Sequence, residues 1–388
     1  MVRNRSRALR RPTACLLLVL CLLALPAQAL DATRIRQQLE LLREAAHAPG
    51  ASAAVMVRGE LVWSGGVGLA DVENAVPMDG GTVHNIGSVS KVVGVIAVMQ
   101  LVEQGRIDLD AEIQAYAPWF PRKQAPITVR QILTHTSGIR HYRDGEFGEG
   151  DVLRFRHFDG IEAASRRWQD EPLLFAPGRH WNYSTFATNL LQAAIERASG
   201  QGMEDYMRAR IWAPAGMRAT AFDVPARIIP RRARGYEWDA DSGVLTNAVQ
   251  EDVSYKYVGG GILASDEDVV RMGHALNSGR LLGAEAIAEM YRPQLDASVT
   301  PMPSPPGTEP ARDGVPVQGL IWRIQQDGAG RSYVAHSGSV KGTLSYLANY
   351  PEQDVVVALH ANARGGKADL RAAAEAIAAQ VLGEAEAE

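Results

Sequence analysis

Apolar and polar positions alternate at two different periods along this chain, and the change of period divides it. Over 31–47, Ile35, Leu39, Leu42 and Ala46 recur at helical spacing, and Pro49-Gly50 ends the run. The next stretch, ASAAVMVRGELVWSGGVG, holds two apolar runs meeting at Arg58-Gly59, the pattern of a β-hairpin. From Ser88 to about Ser278 the period is helical again. VVGVIAVMQLVEQG, TVRQILTHTSG and FATNLLQAAIERASG each read as a helix running to a glycine, with Pro/Gly-rich loops between them. Residues 301–316, PMPSPPGTEPARDG at their centre, read as an exposed loop. Strand patterns then return. GLIWRIQQ and RSYVAH flank Asp327-Gly328, GTLSYLANY and DVVVALHAN flank Pro351-Glu352-Gln353, and KADLRAAAEAIAAQVL is a closing helix.

Strands at both ends with helices between them predict an α/β (α+β) fold. One antiparallel sheet is built from both termini (about 30–87 and 317–388) and flanked by helices, with a largely helical region, about 88–300, inserted into it. The first 29 residues stand outside this pattern. Arg3, Arg5, Arg7, Arg10 and Arg11 precede a Leu-rich run from Ala14 to Leu25, and Pro26-Ala27-Gln28-Ala29 follows as a small-residue cleavage site. That is the layout of a secretory signal peptide, and it implies export, most simply to a bacterial periplasm, with membrane attachment only if the segment is retained. Both cysteines, Cys15 and Cys21, lie in it. Residues 30–388 therefore have no disulfide, no catalytic thiolate and no cysteine-ligated metal.

Composition narrows the chemistry further. With 46% hydrophobic and 22% charged residues the chain is globular in type. Its formal charge of −4 becomes −9 without the five leading arginines, and no basic run remains to hold nucleic acid. His135 and His141 are too far apart for a helical metal pair, and no H-E-x-x-H occurs. His47, His84, His157, His180, His274 and His360 are scattered and read as structural or solvated. Neither a metal nor another cofactor is expected, and the partner is a small-molecule or peptide substrate.

Three short segments remain as candidate chemistry. In NIGSVSKVVG, Ser88 and Lys91 stand three apart at the start of an apolar helix, so their side chains share a face. Five lysines and about twenty serines predict roughly 0.3 such S-x-x-K pairs by chance, and this is the one present. Apolar walls lower a lysine pKa from its usual value of about 10.4, and an amine so lowered can activate a serine. A serine at a helix start also aims free backbone N–H groups at a developing oxyanion. In FAPGRHWNYSTF, Tyr183 precedes a helix and is placed to pass a proton. In YVAHSGSVKG, His336 ends a strand, where it suits an anionic group or a proton transfer, and Gly338 lets a ligand approach the backbone. Taken singly, each segment is better explained as a helix cap, a half-buried tyrosine or a strand-end histidine.

Together and in this order, these segments resemble the serine β-lactamase and penicillin-binding-protein superfamily, in its class C β-lactamase-related branch. ILTHTSGI (132–139) and GGGILASDEDVVRM (259–272) extend the likeness over about 35–380. The resemblance implies an acyl-enzyme mechanism. Ser88 is then the nucleophile, Lys91 its base and Tyr183 a second proton carrier. His336 takes the place of the lysine in K-T-G, followed by Ser337 and Gly338, and the N–H groups of Ser88 and Ser339 form the oxyanion hole. Two departures bear on substrate. Thr185 stands where the Y-x-N element has asparagine, and a hydroxyl lacks the amide's paired donor and acceptor for a substrate amide. His336 carries positive charge less dependably than lysine. YSTF and HTSGIRHY resemble the mitochondrial β-lactamase-like serine protease group. These features favour a peptide, amide or ester over efficient β-lactam hydrolysis, and Thr185 leaves as the alternative a catalytically weak binding or assembly protein of the same fold.

Overall fold

The computed structural model describes residues 1, 31–147, 150–302 and 314–383. The segment expected to be a signal peptide and most of the Pro-rich loop lie outside the described residues. Helix α1 (Ala32–Ala45) is capped by the Asp31 carboxylate, which accepts from the Thr33 and Arg34 N–H groups, and it buries Ile35, Leu39 and Leu42. Strands β1 (Gly50–Val57) and β2 (Glu60–Asp71) form the expected hairpin. Arg58 and Gly59 turn it with φ of 49° and 83°, the left-handed pair that suits a two-residue connection. Short β3 (Val76–Pro77) pairs with β2 at one edge.

Helix α2 (Ser90–Glu103) and helix α3 (Asp266–Asn277) belong to the inserted region. The chain then returns to the sheet with β4 (Arg323–Gln326), β5 (Ser332–Val340), β6 (Thr343–Tyr350) and β7 (Val355–Ala361), and ends in α4 (Leu370–Leu382). The seven strands are ordered β4-β5-β6-β7-β1-β2-β3, every pair antiparallel. Val55 lies opposite Val357, so the two ends of the chain meet at the β1–β7 seam.

The strand period distributes side chains between two cores. Ala51, Ala53, Val55, Val355, Val357 and Leu359 face one way, with α1 and α4. Ala54, Met56, Val356 and Ala358 face the other, with α2 and α3. Helix α2 is apolar on every side and buried from Ser90 to Leu101. An all-round apolar helix belongs in a core, and Lys91 is in its first turn.

Some predicted boundaries move. TVRQILTHTSG is helical only from Val129 to Leu133, because His135 takes φ 59° and breaks the helix before Gly138. FATNLLQAAIERASG is two helices, Thr185–Asn189 and Leu191–Ser199, closed by left-handed Gly200. Ser88 sits in a short 3₁₀ turn, Gly87–Val89, just ahead of α2.

Candidate active site

The structure gathers the sequence candidates around one cavity of about 620 Å³. Ser88, Tyr183, Thr185, His336, Ser337 and Ser339 line it. Lys91 lies behind Ser88, fully buried. Gly338 has another role. A Cβ there would lie 2.2 Å from both the Ile86 carbonyl oxygen and Ser345 Oγ, so its bare backbone lets the serine turn pack on β5. Gly87 makes the reciprocal contact. Its φ is 52°, and a Cβ on it would lie 2.8 Å from the Ser339 nitrogen. Two side chains of β6 pin the same turn: Thr343 Oγ1 donates to the Asn85 carbonyl (2.9 Å) and Ser345 Oγ to the Ile86 carbonyl (2.8 Å). This packing brings the backbone of Ser88 beside that of Ser339, the pair expected to form the oxyanion hole.

Lys91 makes three polar contacts. Its Nζ is 3.0 Å from Ser88 Oγ and 3.2 Å from Thr185 Oγ1, and it also bonds the Gly259 carbonyl. Burial holds its pKa well below the ordinary lysine value, and the charges of Lys256 and Arg323 lower it further. A neutral amine has two N–H groups and one lone pair. The Gly259 carbonyl must accept one N–H, Thr185 accepts the second, and the lone pair is left for the Ser88 hydroxyl proton. Gly259 is required here: a Cβ would meet Asn189 Oδ1 at 2.2 Å and Thr185 Cγ2 at 2.5 Å.

Two expectations change. Thr185 was expected to meet substrate, but it is 4% exposed and its hydroxyl engages Lys91. His336 was expected to offer some positive charge. It is buried, and burial with the fields of Arg323 and Lys91 keeps it neutral. Its Nδ1 is 2.7 Å from the Ser337 carbonyl, which can only accept, so the proton is on Nδ1 and Nε2 is bare. His336 is therefore a neutral ring that offers Nε2 as a hydrogen-bond acceptor. Tyr183 opens on the cavity, and burial raises its phenol above the usual tyrosine value while hydrogen bonds to Ser88 and Thr185 oppose the rise. It stays protonated near neutral pH.

Several residues at the site were not singled out from the sequence. His135 lies against the Tyr183 ring, with centroids 4.4 Å apart, and its Nδ1 accepts the Ser184 N–H at 3.4 Å. His141 Nδ1 accepts the Thr185 N–H at 3.2 Å, and burial lowers its pKa to about 4, so it presents a neutral ring. Both had been considered only as a metal pair. Their real signal was the THTSGIRH run just past a helix end. Arg140 is buried and grips Glu146 and Glu171 through paired bonds of 2.7–2.9 Å, which fixes the loop carrying His141. Arg323 also lines the cavity. Its guanidinium makes no hydrogen bond or ion pair with any described residue, whereas Arg143, Lys256, Lys341 and Arg364 in the same wall are each paired. Among the described residues no cluster of His, Cys, Asp and Glu is arranged to hold a metal ion.

With this geometry in place, comparison with known proteins identifies the class. The chain belongs to the beta-lactamase family, whose model matches residues 34–382. Among its relatives is the serine beta-lactamase-like protein LACTB, mitochondrial, of Homo sapiens, 29% identical over 405 residues, covering 84% of this chain and 73% of that protein. Esterase EstB of Burkholderia gladioli is 31% identical over 300 residues, 69% of this chain and 76% of its own. In fold, the chain is similar to a D-stereospecific amidohydrolase from Streptomyces sp. (TM-score 0.73, 24% identity, 92% of this chain and 100% of that one). It is also similar to the octameric penicillin-binding protein homologue from Pyrococcus abyssi (TM-score 0.74, 24% identity, 91% and 78%).

Proposed function

We propose that this protein is an exported serine hydrolase that forms an acyl-enzyme at Ser88 and cleaves a peptide, amide or ester bond next to an anionic group. The observation that carries the reading is the fully buried Lys91 amine 3.0 Å from a cavity-facing serine hydroxyl, with burial holding its pKa well below the ordinary lysine value. The likeness to an esterase over two thirds of the chain supports the same class of reaction.

The steps follow from the geometry. Ser88 Oγ attacks the substrate carbonyl carbon as Lys91 takes the hydroxyl proton. The carbonyl oxygen becomes an oxyanion beside the N–H groups of Ser88 and Ser339. The bond to the leaving group breaks, and that nitrogen or oxygen receives a proton through Tyr183. Water then adds to the ester carbon, its proton passing to the same bases, and releases the acid and free Ser88. Arg323 supplies the charge that His336 does not, and as a cation of the wall with no partner among the described residues it suits a substrate carboxylate. The leader sequence carries the export part of the proposal.

Paired substrates test this. Wild type and Arg323→Gln are compared on a D-Ala-D-Ala peptide, its C-terminal amide and p-nitrophenyl acetate. Arg323→Gln is expected to lose at least about tenfold more in kcat/KM on the free acid than on the other two, whose smaller common loss reflects its part in lowering the Lys91 pKa. Equal loss on all three removes Arg323 from substrate recognition. No turnover of any ester or amide by wild type contradicts the hydrolase reading.

A further inference from the structure

Lys256 lies in the cavity wall close to the catalytic group but touches none of the reacting atoms. It is 7% exposed, and it precedes the helical turn Tyr257–Gly260 whose Gly259 carbonyl takes an N–H of Lys91. A Cβ on Gly260 would be 3.8 Å from Lys256 Cδ, so the lysine stem runs along that turn. Its ammonium is 3.1 Å from Glu251, and Lys341 lies 3.3 Å from the same carboxylate. One buried carboxylate thus serves two ammonium groups, and its remaining contact is the Tyr255 hydroxyl. Lys341 turns also to the Phe147 carbonyl, which brings no charge. Among the described residues the trio keeps a net positive charge in the wall.

We propose that Lys256 is a positioning residue for catalysis, its incompletely neutralised charge holding Lys91 as the free amine. This rests on the Ser88–Lys91 reading above. The groups around Lys91 are Tyr183 and Thr185, His135 and His141, His336 on β5, Arg323 on β4, and Lys256; the carboxylates in the same cavity wall are Asp144, Glu146, paired with Arg140, and Glu251, paired with Lys256 and Lys341. Among the charges acting on Lys91, that of Lys256 is the largest and Arg323 comes next. An anionic substrate cancels the Arg323 charge on binding. Lys256 already has Glu251 as its carboxylate partner and keeps acting in the complex.

The test is the pH dependence of fluorophosphonate labelling, from pH 5 to 10, whose acid limb reports the protonation of Lys91. Lys256→Met is expected to move that limb up by about one pH unit, so labelling at pH 7 falls about tenfold yet converges with wild type at high pH. Lys256→Arg restores the wild-type limb. Glu251→Gln, which leaves both ammonium groups uncompensated, moves it the opposite way, and this carries the test should Lys256→Met not fold. A Lys256→Met or Glu251→Gln limb that superimposes on wild type, or a loss by the same factor at every pH, overturns the proposal. Labelling of wild type that equals labelling of Ser88→Ala overturns instead the reading on which it rests.

Discussion

At the residue scale, the proposed function depends on a lysine whose pKa burial holds well below its value in water. Lys91 was visible in the sequence because S-x-x-K is rare in a chain of five lysines. Its neutrality was not visible, since it depends on burial, on Lys256 and on Arg323, which are distant in sequence. The same holds for His336, whose tautomer is set by the Ser337 carbonyl. The neutral lysine has a cost in stability. Its folded pKa lies below its unfolded value, so the unfolded chain binds a proton that the folded chain refuses, and stability is lost as pH falls from about 10.5 toward the folded value. Lys91→Met removes that loss. It is expected to lower the acylation rate by about 10³-fold while raising Tm at pH 7, measured by probe labelling and calorimetry on one preparation.

At the element scale, the site is a meeting of three pieces: the 3₁₀ turn before α2, the end of β5 and the loops of the inserted region. The periodic pattern located α2 and the β4–β7 strands because their apolar spacing is local information. It ran past His135, whose positive φ is imposed by packing against Tyr183 and Ser184 and is not encoded in local propensity. Nor did it show that Thr343 and Ser345, two ordinary strand residues, hold the serine turn. Gly87→Ala tests this junction. Its φ of 52° and the 2.8 Å approach to the Ser339 nitrogen leave no room for a methyl group. The variant is expected to lose about 1–3 kcal/mol in urea unfolding, with acylation reduced beyond any loss of folded protein because the two N–H groups are pushed apart.

At the scale of the whole molecule, the seam joining the two ends of the chain carries its own buried polar cluster. His84 and His360 stack with centroids 3.2 Å apart, and Ser52 Oγ donates to Asp266 at 2.5 Å. Burial lowers the His84 pKa to about 3 and raises that of Asp266 to about 8. Two opposite pH effects follow. For His84, stability is intact above the unfolded value of about 6.5 and is lost as pH falls toward 3. For Asp266, it is intact below the unfolded value of about 3.9 and is lost as pH rises toward 8. Asp266→Asn keeps a partner for Ser52 and removes the second loss. Thermal melts are expected to show it more stable than wild type at pH 8, with the gain vanishing near pH 4.

The account as a whole rests on a covalent bond at one oxygen atom. Intact-mass spectrometry of wild type and Ser88→Ala, after exposure to a fluorophosphonate and to a fluorescent penicillin, measures it directly. A single adduct on wild type with at least one probe, mapped to the peptide containing Ser88 and absent from Ser88→Ala, is the predicted result. An adduct of equal yield on both proteins, or none on wild type with either probe, would contradict it.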